Sequence, residues 1–144
     1  MKKIAALVLI FTLGGCTANK VAVKAYEGPK VLQSKLAQLK PTRGLIIYSI
    51  NNKDYNLKTV AKFGINDYEI DLKPGNYTLK LGYNTGSLYS NAYKTVEFKA
   101  LESRKYLVRS GRNGQEWSPY VQDVTNKTQC WDNTIDSDFS SNKC

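Results

Sequence analysis

Histidine is absent from this 144-residue chain, tryptophan occurs only twice, and acidic residues are few. The lack of histidine excludes Ser-His-Asp and Cys-His catalytic arrangements and removes the commonest general base near neutral pH. Twelve acidic residues stand against 21 basic ones, for a net charge of +9. The carboxylates of Glu69 and Asp71 lie two positions apart on a predicted strand, so both face solvent and stay ionised. We therefore expect no catalytic residues, no cofactor and no enzymatic activity.

The chain also lacks an apolar run long enough to span a bilayer, which requires about 20 residues. Its longest run, residues 4–13, follows Lys2 and Lys3 and ends in Leu13-Gly14-Gly15-Cys16. A basic start followed by a short apolar core predicts a secretory signal peptide. Residues 13–16 resemble the bacterial lipobox, Leu-(Ala/Ser/Gly)-(Gly/Ala)-Cys, at all four positions. The resemblance implies that residues 1–15 form a lipoprotein signal peptide and that Cys16 is lipidated.

The resemblance also implies a location. In Gram-negative lipoproteins, aspartate directly after the lipidated cysteine favours retention at the inner membrane, and this chain has Thr17 there. We therefore expect a lipid anchor in the outer membrane, with the protein on the periplasmic face. The membrane is the expected partner through Cys16, and nucleic acid is not an expected partner outside the cytoplasm.

Two cysteines, Cys130 and Cys144, remain after Cys16. An even pair in an exported chain predicts a disulfide, which would contribute about 3 kcal/mol in the chain-entropy model. The enclosed segment 131–143 is polar and acidic, without periodicity. Its aspartates lack the glycine and closing glutamate of an EF-hand loop, and two cysteines without histidine suit zinc poorly, so no metal site is predicted.

Hydrophobic periodicity changes near Arg43. Upstream, Leu32, Leu36 and Leu39 have helical spacing, and Pro41 would end a helix; this segment is predicted to be a short helix or an extended lead-in. Downstream, the run 45–50 is apolar throughout and predicts a central strand, whereas the segment 55–60 predicts a weaker one.

Strict alternation predicts two further strands, with Tyr68, Ile70 and Leu72 inward in one, and Tyr77, Leu79, Leu81 and Tyr83 inward in the other. Pro74 and Gly75 between them predict a type II turn that joins the two strands as a hairpin. In the strand after Tyr93, Val96, Phe98 and Ala100 share one face. The segment 105–110 predicts another strand, and Pro119 assigns the last strand to a sheet edge.

Six or seven closely spaced strands with intervening turn signals predict an all-β fold, an antiparallel β-sandwich with Greek-key connections. The predicted divisions are residues 1–15 as signal peptide, 16–42 as lipidated tether and lead-in, 43–125 as the β-sandwich domain, and 126–144 as a disulfide-closed acidic tail.

Several segments, YEGPKVLQSKLAQLKP, IDLKPGNYTLKLGY, YKTVEFKALESRKYLV and WSPYVQDVT, resemble small uncharacterised outer-membrane lipoproteins of Gram-negative bacteria. The likeness covers nearly all of the mature chain, but its motifs are mostly structural. Asn51-Asn52 departs from the Asp-Gly that often follows the first strand in such proteins. The Pro-Gly-x-Tyr segment also looks like carbohydrate-binding and transthyretin-like sandwiches, an analogy of fold alone. The expected sandwich is of the immunoglobulin- or transthyretin-like kind.

Aromatic residues supply the remaining functional signal, with ten tyrosines in the chain. Tyrosine suits binding surfaces, although it also packs well on half-buried strands. Tyr68, Tyr77 and Tyr83 are predicted core residues, and the candidate surface aromatics are Tyr89, Tyr93, Trp117 and Tyr120. The sequence favours a non-enzymatic interaction or accessory module of the envelope. The alternative function is binding of wall glycan or another acidic polymer. Residues 110–117 also resemble a loop of periplasmic lysozyme inhibitors, which makes inhibition of a periplasmic enzyme a more distant alternative.

Overall fold

A computed structural model describes residues 21–57, 68–86, 89–113 and 116–132. Most of this part of the chain is β-structure, which confirms the predicted all-β class. A single 3-10 turn spans Gln33–Lys35, and the short helix α1 (Thr128–Asp132) follows the last strand. The strands are β1 (Val21–Lys24), β2 (Ala37–Pro41), β3 (Leu45–Ile50), β4 (Tyr68–Leu72), β5 (Gly75–Tyr83), β6 (Lys94–Ala100), β7 (Lys105–Asn113) and β8 (Glu116–Asp123).

The strands form two sheets, a five-stranded one in the order β1-β4-β2-β7-β8 and a three-stranded one in the order β3-β5-β6. β1 pairs with β4, and β2 with β7, in parallel, whereas the remaining pairs are antiparallel. The prediction of a wholly antiparallel fold is therefore wrong. Alternation along a strand shows which face is buried, but it does not indicate the direction of the neighbouring strand.

Inward-facing side chains of both sheets meet in one hydrophobic core. Ile70 and Leu72 from the five-stranded sheet, and Leu79 and Leu81 from the three-stranded sheet, have no exposed surface. Ala100 and Tyr68 are also buried members of this cluster. Four partly buried side chains pack against it: Tyr77, Tyr83, Val96 and Phe98. The inward faces predicted from alternation are thereby confirmed.

The lead-in contains two strands of the five-stranded sheet. β2 occupies the central position in that sheet, between β4 and β7. The extended alternative therefore holds, and bends at residues 26–29 and the short 3-10 turn separate the two strands. Leu36 and Leu39 are buried, but Leu32 is 74% exposed. Folded structure thus begins well before residue 43, and β1 and β2 add two strands to the six predicted from residues 45–123.

The predicted hairpin at Pro74-Gly75 is wrong, because β4 and β5 belong to different sheets. β5 pairs with β3 and β6 instead. The φ angle of Gly75 is 159°, close to extended backbone and far from the roughly +80° of the second corner of a type II turn. The chain passes from one sheet to the other at this point.

Two predictions concern the position of a strand within its sheet, and one of them is wrong while the other is confirmed. β3 is an edge strand of the three-stranded sheet, so the prediction of a central strand for residues 45–50 is wrong. A register shift between Ile47 and Ser49 leaves Leu45, Ile47 and Ile50 buried. The unbroken apolar run had suggested a strand that is buried on both faces. β8 is an edge strand, as Pro119 predicted. Residues 55–57 of the predicted strand 55–60 are not in a strand, and residues 58–60 lie outside the described residues.

A second, smaller core covers the outer face of the five-stranded sheet. Leu107, Val124, Cys130 and Trp131 bury one another where α1 packs on β7. Lys40 in β2 is only 1% exposed, and its Nζ donates a hydrogen bond to the Trp131 carbonyl at 3.3 Å. Cys144 lies outside the described residues, so its pairing with the buried Cys130 stays a prediction.

A tight corner joins β2 to β3. Thr42 donates from both its backbone N–H and its Oγ1 to the Val108 carbonyl, each at 3.0 Å. Gly44 follows with a φ of +87°, and a Cβ there would lie 2.9 Å from the Thr85 Cγ2. Both the left-handed backbone and the close approach therefore require glycine.

We predict that Gly44→Ala lowers the free energy of unfolding by about 2 kcal/mol, because backbone strain and crowding add together. Gly86→Ala is the matched control, since Gly86 has a φ of +86° but no atom of the described residues within 4 Å of its Cβ position. It should cost about 1 kcal/mol, from strain alone. Urea denaturation of both variants measures the difference; equal losses would contradict the crowding at Gly44.

Tyr68 gives a second stability prediction. Its hydroxyl is buried and has no hydrogen-bond partner among the described residues, whereas the Tyr106 hydroxyl accepts a bond from the Leu101 N–H at 3.1 Å. Tyr68→Phe should leave stability unchanged or raise it by up to about 1 kcal/mol, while Tyr106→Phe should cost about 1 kcal/mol. Thermal denaturation compares the two, and an equal cost at Tyr68 would show that its hydroxyl is paired.

Candidate functional site

Three connections lie at one end of the protein. Pro41 aligns with Val108 where β2 ends, and the corner 42–44 leads from there to Leu45, which pairs with Tyr83. The connection from β5 to β6 leaves at Tyr83, so it lies at the same end as the corner. The β7–β8 turn extends further in the same direction, since those strands remain paired as far as Asn113 and Glu116.

This end carries the exposed tyrosines. Tyr89 is 71% exposed, Tyr93 is 53% exposed and Tyr120 is 45% exposed, and no other tyrosine of the described residues reaches the exposed class. Tyr120 pairs with Arg109, one position beyond Val108 toward the β7–β8 turn. We call this surface the tyrosine end and define it by Arg43, Tyr89, Tyr93, Lys94, Arg109 and Tyr120.

Neighbouring side chains hold the Tyr93 ring in place. It meets Tyr48 edge-on, with ring centroids 4.7 Å apart and planes at 71°. The Lys80 Nζ lies 4.4 Å from the Tyr93 centroid, which is within cation–π range. Tyr48 reaches this position across Gly82, where a Cβ would lie 2.5 Å from the Tyr48 Cε2. The absence of a side chain at residue 82 therefore shapes the aromatic part of the site.

Tyr89 is positioned by a hydrogen-bonded loop. It forms an isolated antiparallel bridge with Asn84, whose Oδ1 also accepts a bond from the Gly86 N–H at 2.8 Å. Ser90 donates its N–H to the Tyr83 carbonyl at 2.8 Å and its Oγ to the Ala92 carbonyl at 2.9 Å. These hydrogen bonds fix the backbone that carries the exposed Tyr89 side chain.

Trp117 does not belong to the exposed surface, contrary to the prediction. It is 9% exposed and lies in the main core, where its ring stacks on Tyr83 with centroids 5.9 Å apart. The Lys94 Nζ lies 5.7 Å from the Trp117 centroid and 3.0 Å from the Glu116 carboxylate. Side chains of the other sheet therefore bury Trp117 directly beneath the tyrosine end.

Both ends of the protein carry more cationic than acidic side chains. At the tyrosine end, three cationic side chains, Arg43, Lys94 and Arg109, accompany one carboxylate, Glu116, among the side chains that the structure describes. The opposite end holds three ion pairs, Lys53 with Glu27, Lys35 with Glu102, and Arg104 with Asp123, and further lysines such as Lys73 and Lys99. What distinguishes the tyrosine end is that its positive charge is combined with exposed tyrosines, which the described residues of the opposite end lack.

The titratable groups with shifted pKa values lie away from this surface. Burial raises the pKa of Tyr68 well above its ordinary value and also raises the pKa of Tyr77. The hydrogen bond between Glu27 and Lys53 lowers the pKa of Glu27 and raises that of Lys53. These shifts keep each group in its usual charge state near neutral pH, so none of the four is prepared for proton transfer.

Two other features of the described residues bear on ligand binding. A shallow groove of about 380 Å³ on the three-stranded sheet is lined by Asn76, Tyr77, Thr78, Glu97 and Phe98. It holds one carboxylate and no converging set of polar groups. Within the described ranges, no group of three or more cysteine, aspartate or glutamate side chains is arranged to hold a metal ion.

Comparisons with family models, curated proteins and solved structures give no match for this chain. Its function is therefore inferred from its own residues. In the part of the chain described here, no helix has the length and apolar character needed to cross a bilayer. Cys16, the predicted lipidation site, lies outside the described residues.

Gly82→Ala should alter the site without changing its charge. The new methyl group would displace Tyr48 and remove the ring contact that shields Tyr93, so modification of Tyr93 by a tyrosine-selective reagent should be faster. Tyr120 is an internal control, because it lies in the other sheet. Mass spectrometry measures both rates in one sample, and an unchanged Tyr93 rate would contradict the role assigned to Gly82.

Proposed function

We propose that this protein is a non-enzymatic, lipid-anchored envelope protein that acts as an interaction or accessory module on the periplasmic face of the outer membrane. The lipobox at residues 13–16 supports the anchor at Cys16, and Thr17 supports the outer membrane. The tyrosine end carries the interaction proposal: it joins three exposed tyrosines to an excess of positive charge. Tyrosine offers a large contact area at low entropic cost.

The fold suits a module of this kind. We propose that the two sheets pack face to face as a β-sandwich, with immunoglobulin- or transthyretin-like Greek-key connections. The shared core of Ile70, Leu72, Leu79 and Leu81 supports this packing. Connections at one end of such a framework are free to supply a contact surface while the sheets stay rigid. We also propose that the protein belongs with the small Gram-negative lipoproteins that its sequence resembles.

Binding of wall glycan or another acidic polymer is the second candidate function. Arg43, Lys94 and Arg109 favour it, because cationic side chains attract a polyanion. Exposed charges are screened beyond about 8–10 Å at 0.1–0.15 M salt. Polymer binding should therefore weaken strongly between low and moderate salt, whereas contact through tyrosine rings should change little.

Crosslinking in the intact envelope tests the interaction surface. Tyr89→Ser combined with Tyr93→Ser should remove crosslinks of the native protein to its partner, because most of the exposed aromatic area is lost. Leu101→Ser is the matched control: Leu101 is 45% exposed and lies at the opposite end. Equal loss in both variants would contradict the assignment of the tyrosine end. Turnover of a wall glycan or peptide by the purified protein would contradict the non-enzymatic part.

The lipid anchor has its own test. Cys16→Ser should leave the precursor uncleaved and without acyl chains, because the thiol that accepts the lipid is gone. Mass spectrometry of the mature N-terminus measures this, with Thr17→Ser as the control that keeps both cleavage and acylation. An unmodified wild-type N-terminus at another residue would contradict the proposal.

The second cysteine prediction concerns Cys130 and Cys144. Non-reducing peptide mapping of protein isolated from the envelope should find the two residues linked. Because the loop is near the C-terminus, Cys144→Ser should release the tail and loosen α1 more than the main core. Hydrogen exchange at residues 128–132, compared with 79–81, measures this. Free thiols on both cysteines would reject the pairing.

A further inference from the structure

We infer that the tyrosine end lies against the anionic headgroups of the same bilayer that holds the Cys16 acyl chains. This inference rests on the proposed lipidation of Cys16 and names the partner of the tyrosine end. Its basis is the length of chain between the anchor and the first strand, the direction in which that strand points, and the side chains found at that end.

The tether between anchor and fold is short. Five residue steps separate Cys16 from Val21, the first residue of β1. A fully extended chain spans at most about 3.6 Å per residue, so Cys16 lies within about 18 Å of Val21. The acyl chains of Cys16 sit in the bilayer, and the Val21 end of β1 must therefore stay close to its surface.

The Val21 end of β1 is also the tyrosine end. Val21 pairs with Tyr68 at the start of β4, and β1 runs from there toward Lys24, away from the tyrosine end. β2 runs opposite to β4, so its last residue, Pro41, lies at the Val21 end, and Pro41 aligns with Val108. Continuing β1 backward toward Cys16 thus leads in the direction of the β7–β8 turn.

The protruding β7–β8 turn has a similar reach. β7 continues for five residue steps from Val108 to Asn113 and stays paired with β8. At about 3.3 Å per residue this overhang is about 17 Å long. When the tether is extended, Cys16 and the turn therefore reach about the same level, and Arg109 and Tyr120 lie at the base of the overhang, next to Val108.

The opposite end cannot take this place. Eight residue steps along β5 separate Tyr83, at the tyrosine end, from Gly75, which is about 27 Å. To bring Gly75 to the bilayer, the tether would have to run back along the whole sheet, beyond its reach of about 18 Å.

The side chains at the tyrosine end suit a membrane interface. Tyrosine rings concentrate at the headgroup level, where their apolar body and polar hydroxyl are both accommodated. Arginine and lysine near the surface are attracted by anionic lipids. Tyr89, Tyr93 and Arg43 provide both kinds of group, whereas the described residues of the opposite end include lysines but no exposed tyrosine.

The two tryptophans give built-in reporters for a test. Trp117 pairs with Arg112 near the β7–β8 turn, whereas the Trp131 ring lies 5.2 Å from the Lys105 Nζ, at the start of β7. Seven residue steps along β7, about 23 Å, separate Arg112 from Lys105. Trp131→Phe leaves Trp117 as the reporter, and Trp117→Phe leaves Trp131.

The experiment uses the acylated full-length mature protein in vesicles of phosphatidylethanolamine and phosphatidylglycerol that contain a headgroup nitroxide lipid. The nitroxide should quench Trp117 about twofold or more strongly than Trp131, because the short tether keeps the tyrosine end near the bilayer and its tyrosine rings settle at the headgroup level. Arg43→Glu should reduce the quenching of Trp117. Lys99→Glu should not, since Lys99 pairs with Asn76 near the opposite end.

The outcomes separate this inference from the proposed function. Acylated Cys16 with equal quenching of the two reporters, or stronger quenching of Trp131, overturns the inference alone. Mass spectrometry that finds no acyl chain on Cys16 overturns the anchor and the inference together. Binding of soluble wall glycan that Arg43→Glu abolishes, together with Trp117 quenching no stronger than that of Trp131 in the absence of glycan, assigns the tyrosine end to the polymer and overturns the membrane contact.

A measurement on the unaltered protein gives a second test that needs no tryptophan substitution. Hydrogen exchange at residues 84–86, 89–93 and 116–120 should be slower in vesicles with phosphatidylglycerol than in purely zwitterionic vesicles. Residues 73–76 and 99–104, at the opposite end, should exchange equally in both. Slowing at the opposite end only, or at neither end, overturns the inference.

Discussion

The corner at Thr42–Gly44 is the constraint on which the arrangement of the two sheets depends. Thr42 bonds to the Val108 carbonyl in the five-stranded sheet, and the Gly44 carbonyl accepts the Asn84 N–H at 2.8 Å beside the three-stranded sheet. One short segment thus fixes both sheets at the same end, where β3, β5 and the β7–β8 turn converge. The exposed tyrosines take their positions from this convergence.

The alternating hydrophobic pattern predicted the buried face of each strand, because every second side chain of a strand points into the core. Ile70 and Leu81 could be assigned inward on that ground alone. Strand partners could not be predicted, since Pro74-Gly75 suits a crossing between sheets as well as a hairpin. Lys40 was missed for a related reason: its burial is created by α1, which packs from more than 80 residues further along the chain.

The candidate site, too, could be predicted only in part from the sequence. Exposure of Tyr89, Tyr93 and Tyr120 was predicted from their places near turns and on a mixed strand. Trp117 has a similar local sequence context, but Tyr83 and Lys94 from the other sheet cover it. Grouping of the three tyrosines at one end depends on the strand order, which no local pattern encodes.

The parallel pairing of β1 with β4 has a consequence for the order of folding. Val21 must meet Tyr68, 47 residues further along the chain, and the intervening loop carries a closure entropy that a hairpin avoids. A chain made from its N-terminus therefore exposes β1 first but cannot pair it until β4 has emerged. β1 is thus among the earliest strands to appear and among the later ones to be paired in the sheet.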